Sequence, residues 1–322
     1  MSIRSSGPLS NLVKKGDMTV LRPAIAALVA ACMFASCLRP AAASAAPSDQ
    51  YASHAYLAHV NDGLVAFYSK NFAAARVAFE AALAVAPSDS FSLSFLNASL
   101  RNLGVDALTQ LSDQEEEDAA KNPRDALAQT RLGYTYMFMA QFQTARGPDA
   151  RDAFNAALQI DPHLAAAHVG LGIYRLGDNS TSRAKAEFLA ALETTPKDVL
   201  AREYLSSIYQ VDLKDPNRAL AYLIDVPNIM PSYPDAFYHL GSIMDDLGQY
   251  DAAIKYLKTA IDLDKGHVGE AGQYGLPLLG TVYLKVHKVP EAKLAFSEAI
   301  VYGEAPEFSQ SQLDKIKRGD IK

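Results

Sequence analysis

Histidine is the residue type in this chain best suited to metal or acid–base chemistry, and the spacing of its seven copies argues against both. His54 and His59 are five apart, as are His163 and His168, while His239, His267 and His287 stand alone. Two imidazoles share a helical face when one turn separates them, so no pair is set to hold a zinc ion. His59 and His168 fall at equivalent places in a repeating pattern and are expected as partly buried packing residues. Serines and carboxylates are plentiful, but no Gly-x-Ser-x-Gly elbow marks a nucleophile. The glycine-rich stretch 266–275 lacks the Gly-Lys-Ser/Thr ending of a phosphate loop. It is too rich in glycine for a strong helix and is expected as a connecting loop. No catalytic residue, metal site or cofactor is expected, so the chain reads as a binding protein and not an enzyme.

The elements that carry these residues repeat. Residues 165–198 contain Leu171-Gly172, then Ala184, Phe188, Ala191 and Pro196. The same skeleton recurs as Asp62-Gly63, Ala75, Phe79, Ala82 and Pro87, and as Leu132-Gly133, Ala150, Phe154, Ala157 and Pro162. This third unit has extra residues around Gly147-Pro148 that should enlarge its turn. A fifth unit has Leu205-Ser206, Ala219, Leu223 and Pro231, with an insertion near Asp215-Pro216-Asn217. A sixth has Leu240-Gly241, Ala253, Leu257 and Ala260, and a seventh has Leu279-Gly280, Ala292, Phe296 and Ala299. The second unit, 90–123, is degenerate: Leu96-Asn97 replaces Leu-Gly, and the run 114–118 is so charged that it is expected as a solvated face. Residues 309–316 are expected as a polar capping helix.

Each recurring residue has a packing reason. Small residues let two helices approach, a Phe or Leu knob fills the space between them, and proline stops the second helix. With about seven such units over 56–306, the chain resembles the tetratricopeptide repeat family. Tryptophan, common early in that family's first helix, is absent, and His59, Gln129, His168, Arg202, Phe237 and Leu276 hold those places. The resemblance implies an all-α, right-handed superhelical solenoid of antiparallel helix pairs, with a linker over 47–55 and a capping helix and tail over 307–322. It also implies that the first helix of each pair lines a concave groove.

On those first helices a second stripe, distinct from the packing residues, runs at helical period. It comprises Leu57, Val60, Leu64, Phe67 and Tyr68 in unit one, and Leu127, Thr130, Tyr134, Met137 and Phe138 in unit three. Unit four adds Val169 and Ile173, unit five Glu203 and Gln210, and unit six Asp235, Tyr238, Ser242, Asp245 and Asp246. Such a groove would be apolar at one end and acidic at the other. The expected partner is a protein segment, an extended peptide or helix, with apolar anchors in the early units and a basic flank near Asp245 and Asp246. The alternative is that Tyr134, Met137 and Phe138 simply pack on neighbouring units. The family's carboxylate clamp needs lysines and asparagines on this stripe, and Lys285 is nearly alone there.

Residues 1–46 have the parts of a secretion signal: basic Arg4, Lys14, Lys15 and Arg22, an apolar run over 23–38, and small residues over 41–46. Cleavage near Ala46 would remove both cysteines, Cys32 and Cys37, and with them disulfide and thiol chemistry. Lipidation at Cys32 or Cys37, or retention as an uncleaved anchor, would instead tie the chain to a membrane. Cleavage would leave 25 basic and 35 acidic residues, a surface that repels nucleic acid. The resulting expectation is an exported adaptor, periplasmic or secreted if the cell is bacterial. A small-molecule or lipid carrier and a self-associating scaffold are its alternatives.

Overall fold

Proline and aspartate set the joints between helices. Pro87, Pro123 and Pro196 each stop one helix, and two residues later Asp89, Asp125 and Asp198 cap the next. Their carboxylates accept from the free N–H groups of Ser92 at 2.7 Å, Leu127 at 2.9 Å and Ala201 at 2.9 Å. Each such cap stabilises its helix by about 1 kcal/mol. The computed structural model describes residues 50–143 and 146–320. The chain divides into Met1–Ala46 and Pro47–Lys322, and the described residues all belong to the second unit. The expected signal, its cleavage and lipidation sites, and residues 47–49 of the linker lie outside the described residues.

The second unit is an all-α, right-handed superhelical solenoid, without strands among the described residues. After a short turn at Gln50–Ala52, repeat one pairs α1 (His54–Phe67) with α2 (Phe72–Val85), and repeat two pairs α3 (Ser90–Leu103) with α4 (Val105–Lys121). Repeats three and four are α5 (Ala126–Met139) with α6 (Arg146–Ile160), and α7 (Ala165–Gly177) with α8 (Thr181–Thr194). Repeat five is α9 (Val199–Ser207) with α10 (Pro216–Leu223), followed by the short α11 (Val226–Ile229). Repeats six and seven are α12 (Pro234–Asp246) with α13 (Tyr250–Leu263), and α14 (Glu270–Lys285) with α15 (Val289–Tyr302). The final helix, α16 (Pro306–Arg318), packs on α15 through Ile316 beside Phe296. No helix among the described residues is long and apolar enough to cross a membrane.

The helix bounds refine the local expectations. Repeat two is a regular helical pair despite its degenerate sequence, and within its charged run Glu115 is buried. The interval from Met139 to Arg146 is longer than that from Phe67 to Phe72 in repeat one, so the turn of repeat three is enlarged as expected, while Gly147 and Pro148 themselves lie in the first turn of α6, where proline's missing N–H costs nothing. The insertion in repeat five is absorbed as a wide helical turn over Ile208–Asp212, closed by the Leu213 N–H donating to the Ile208 carbonyl at 3.1 Å. Only the first part of the glycine-rich stretch is a loop, because α14 already begins at Glu270. Gly272 is helical there by close approach: a Cβ would stand 2.2 Å from the Cα of His267.

Candidate functional site

The inner stripe is largely occupied by the chain itself. Leu64, Phe67, Tyr68, Tyr134 and Val169 are buried, Tyr134 and Val169 completely. Phe67 meets Phe95 of α3 edge-on at 5.1 Å. The Tyr134 hydroxyl donates to the Ala166 carbonyl at 3.1 Å, and its ring stands edge-on to Phe154 at 5.3 Å. Met137, Phe138 and Ile173 are half-buried against the same core. Leu64, Phe67, Tyr68, Tyr134 and Val169 therefore pack within the solenoid, and of the three residues expected alternatively to pack on neighbouring units, Tyr134 is buried while Met137 and Phe138 are half-buried.

The reason is the tightness of the winding. Helix α3 touches α7 and α9 as well as its own neighbours, and Ser90 donates to Asp198 at 2.7 Å between repeats two and five. Repeat one also reaches the later repeats. The Gly266 N–H donates to the Tyr68 carbonyl at 2.7 Å, the Tyr68 hydroxyl donates to Asp235 at 2.6 Å, and Ser232 donates to Asn61. None of these hydrogen bonds, each between partners more than a hundred residues apart, has a local sequence signal.

Around Tyr68 a polar cluster joins repeats one, five, six and seven. Asp235 accepts from Tyr68 and, at 3.2 Å, from the Ala271 N–H at the start of α14. Tyr233 donates to Glu203 at 2.6 Å, and His239 lies 3.3 Å from Glu203 and 3.7 Å from Glu270. Burial pushes the Asp235 carboxyl up to about 7, against the opposing bond from Tyr68. Burial would lower the His239 pKa, but the bond to Glu203 and the charges of Glu203, Glu270 and Asp235 outweigh it and raise the group to about 9. A cation held between carboxylates neutralises charge and pins one repeat to another. His168 is likewise paired with Glu187 at 2.8 Å, and His267 with Glu304 at 2.7 Å. Among the described residues no group of His, Cys, Asp and Glu is arranged to hold a metal ion.

The inner face of repeats five to seven stays polar and accessible. Gln210 donates to Ser242 at 2.9 Å and to Asp246 at 2.7 Å, and Asp246 is exposed. Tyr238 is half-buried, and Tyr274, at the stripe position of α14 that corresponds to Asp235 in α12, is 48% exposed. Asp245 is different from its expected role: both its oxygens are held by the Lys285 ammonium at 2.7 Å, so a partner's cation would have to displace that lysine. The acidic end of the stripe consequently rests on Asp246 and on Glu270. Away from this face, a cleft of 410 Å³ opens between Leu57, Val60 and Leu64 of α1 and residues 228–232.

A family model described as the tetratricopeptide repeat matches residues 234–267, the α12–α13 pair and its exit. Among solved structures, the chain is similar to a protein in the APC/C hetero-tetramer Cut9–Hcn1 with a TM-score of 0.56 at 18% identity, covering 73% of this chain. The chain spans 44% of that relative's length. It is also similar to PilW, described as a widely conserved type IV pilus biogenesis factor (TM-score 0.53, 21% identity, 70% of this chain and 98% of that one). A third is YrrB, described as a TPR protein with an unusual peptide-binding site (0.50, 18%, 63% and 99%). No curated protein matches.

Proposed function

The chain is a tetratricopeptide repeat protein, and from that premise we propose that it is a non-catalytic adaptor of an exported compartment, holding a partner peptide or helix against repeats five to seven. The observation that carries this reading is the contrast along one stripe: Tyr134 and Val169 are completely buried, whereas Tyr274 is 48% exposed. Tyr238 with Tyr274 and Glu270 close by, and Asp246 two turns farther along α12, suit a segment that combines an apolar anchor with lysine or arginine. The described peptide site of YrrB supports the class of ligand, and the basic, apolar and small-residue order of residues 1–46 supports export. A photo-crosslinking residue at position 274 in the exporting cell, read by mass spectrometry, tests it. The expected product is one defined protein whose crosslink is lost in the Asp246→Lys, Glu270→Lys variant and retained in Tyr134→Phe. Crosslinks indifferent to both charge reversals sink the proposal.

A second reading rests on the 410 Å³ cleft, whose wall includes Leu57, Val60, Leu64, Ile229 and Met230. A small apolar ligand fits those side chains. Native mass spectrometry of the protein purified from its own cell checks for a bound mass that Ala58→Trp displaces.

A further inference from the structure

The seam between repeats two and three contains more acceptors than donors. The Thr135 hydroxyl of α5 lies 2.5 Å from Glu115 Oε2 of α4 and 3.1 Å from Asn97 Oδ1 of α3. A hydroxyl has one hydrogen and can donate to only one of them. The Asn97 amide cannot turn to help, because its Nδ2 already donates to the Leu93 carbonyl at 3.0 Å, and reversal would set two oxygens against each other. Asn97 and Thr135 are fully buried, and Glu115 is nearly so. With an ionised Glu115, one buried acceptor in this triad would lack a protein donor, and a buried acceptor left unpaired costs about 1–3 kcal/mol.

We infer that Glu115 is held as a neutral carboxylic acid that donates to Thr135 Oγ1, which donates in turn to Asn97 Oδ1, so that one proton closes the seam and alkaline pH loosens it. The surroundings favour that state. Burial raises the Glu115 carboxyl from 4.5 to about 7, with Asp118 adding to the rise and Thr135 and Arg131 opposing it. The charged groups around the 300 Å³ cavity beside it are Glu80 from α2, which is paired with Arg76, Asp118 from α4, which disfavours ionisation, and Arg131 from α5, the cation that favours it. Glu116, next in sequence, points elsewhere, accepting from Tyr136 at 2.9 Å and pairing with Arg146. The seam is thus a pH-sensitive joint. A proton retained at Glu115 makes the native seam more stable below neutrality, and this advantage fades as pH rises from 4.5 through about 7.

The test is a titration of the full chain labelled with ¹³C at glutamate carboxyls, the Glu115 signal being assigned by its loss in Glu115→Gln. The expected signal titrates near 7. Amides of α4 and α5 that exchange by local opening of the seam, corrected for intrinsic rates, should exchange about tenfold faster at pH 8 than at pH 6, the ratio that a shift from 4.5 to about 7 gives. Glu115→Gln, whose amide donates at every pH, should remove that increase. Asn97→Leu separates the proton chain from burial alone: with Asn97 Oδ1 gone, the Thr135 hydrogen is free for the Glu115 carboxylate, and the titration should move down toward the ordinary range. A wild-type Glu115 that titrates as an ordinary glutamate overturns the inference, and so does an Asn97→Leu variant whose Glu115 titration stays put or rises. The wild-type and Asn97→Leu titrations decide it even where Glu115→Gln does not fold.

Discussion

Phe154 is gripped by two glycines, and that grip can be measured. Its ring is completely buried between Gly133 of its own repeat and Gly170 of the next, with Tyr134 edge-on at 5.3 Å. A Cβ added at Gly170 would stand 2.3 Å from two ring carbons, and one at Gly133 would stand 2.6 Å away, so the ring cannot retreat from one without meeting the other. Carbon atoms pack at about 3.5–4.0 Å, so Gly170→Ala forces a movement of more than about 1 Å in a filled core. Overpacking of this kind costs about 1–3 kcal/mol, offset by about 1 kcal/mol of helix propensity. Gly170→Ala should therefore destabilise the wild-type protein by about 0–2 kcal/mol. Phe154→Ala alone should cost about 3–5 kcal/mol. In that background the added methyl enters the vacated space, and Gly170→Ala should instead stabilise by about 1 kcal/mol. The coupling of about 1–3 kcal/mol is that of residues in contact. Urea unfolding at unchanged slope measures all four corners of the cycle. Equal effects of Gly170→Ala in both backgrounds, within about 0.5 kcal/mol, would refute the view that this glycine is there for the ring.

Other perturbations address the contacts that close the solenoid. Tyr68→Phe removes the donor to Asp235 without changing the ring, and a loss of about 1–3 kcal/mol in urea unfolding is expected; an unchanged midpoint would mean that this bond between repeats one and six contributes nothing. The pH profile has a definite sign. Asp235 near 7 and Asp198 near 6 are both raised, chiefly by burial, so the native state retains protons that the unfolded chain gives up, and stability falls as pH rises from about 4 to 7. His239, raised from 6.5 to about 9, adds stability present below 6.5 and lost through 9. The thermal midpoint should therefore fall steadily between pH 5 and 9, and a calorimetric midpoint that climbs over that range contradicts the assignments. Lys285→Ala frees the Asp245 carboxylate at a stability change within about 1 kcal/mol. It should tighten binding of a lysine- or arginine-rich partner, and weaker binding in a titration calorimeter would place that partner's basic flank elsewhere.

The sequence made the packing half of this molecule legible because that half is local. A knob such as Phe188 and the glycine it covers, Gly172, sit in one helical pair, and their spacing is set by helix geometry alone. The inner stripe was legible as a face but not in its state. Leu64, Tyr134 and Val169 have the period of an apolar groove, and what fills the space in front of them depends on how far the superhelix advances per repeat. That pitch is the sum of many small rotations, and no single residue reports it. Tyr68 and Asp235 could each be placed on the stripe, yet their hydrogen bond spans 167 residues and exists only because the turn of the solenoid brings repeat one against repeat six.

The charged run of repeat two shows the same limit at the scale of one side chain. Counting charge over 114–118 predicts a solvated face, and for Gln114, Glu117 and Asp118 the alternation of a helix bears that out. Glu115 is turned inward, where an ionised carboxylate would cost several kcal/mol and a protonated one can serve as a donor. The residue type therefore misleads unless its protonation state is known, and that state depends first on burial and then on what Thr135 and Asn97, two neutral residues on two other helices, leave for it to bond. A glutamate that supplies a hydrogen is chemically closer to a glutamine than to its charged neighbours. Replacing it with glutamine should then preserve the seam while removing its response to pH, whereas leucine, which supplies no hydrogen to Thr135, should weaken the seam at every pH.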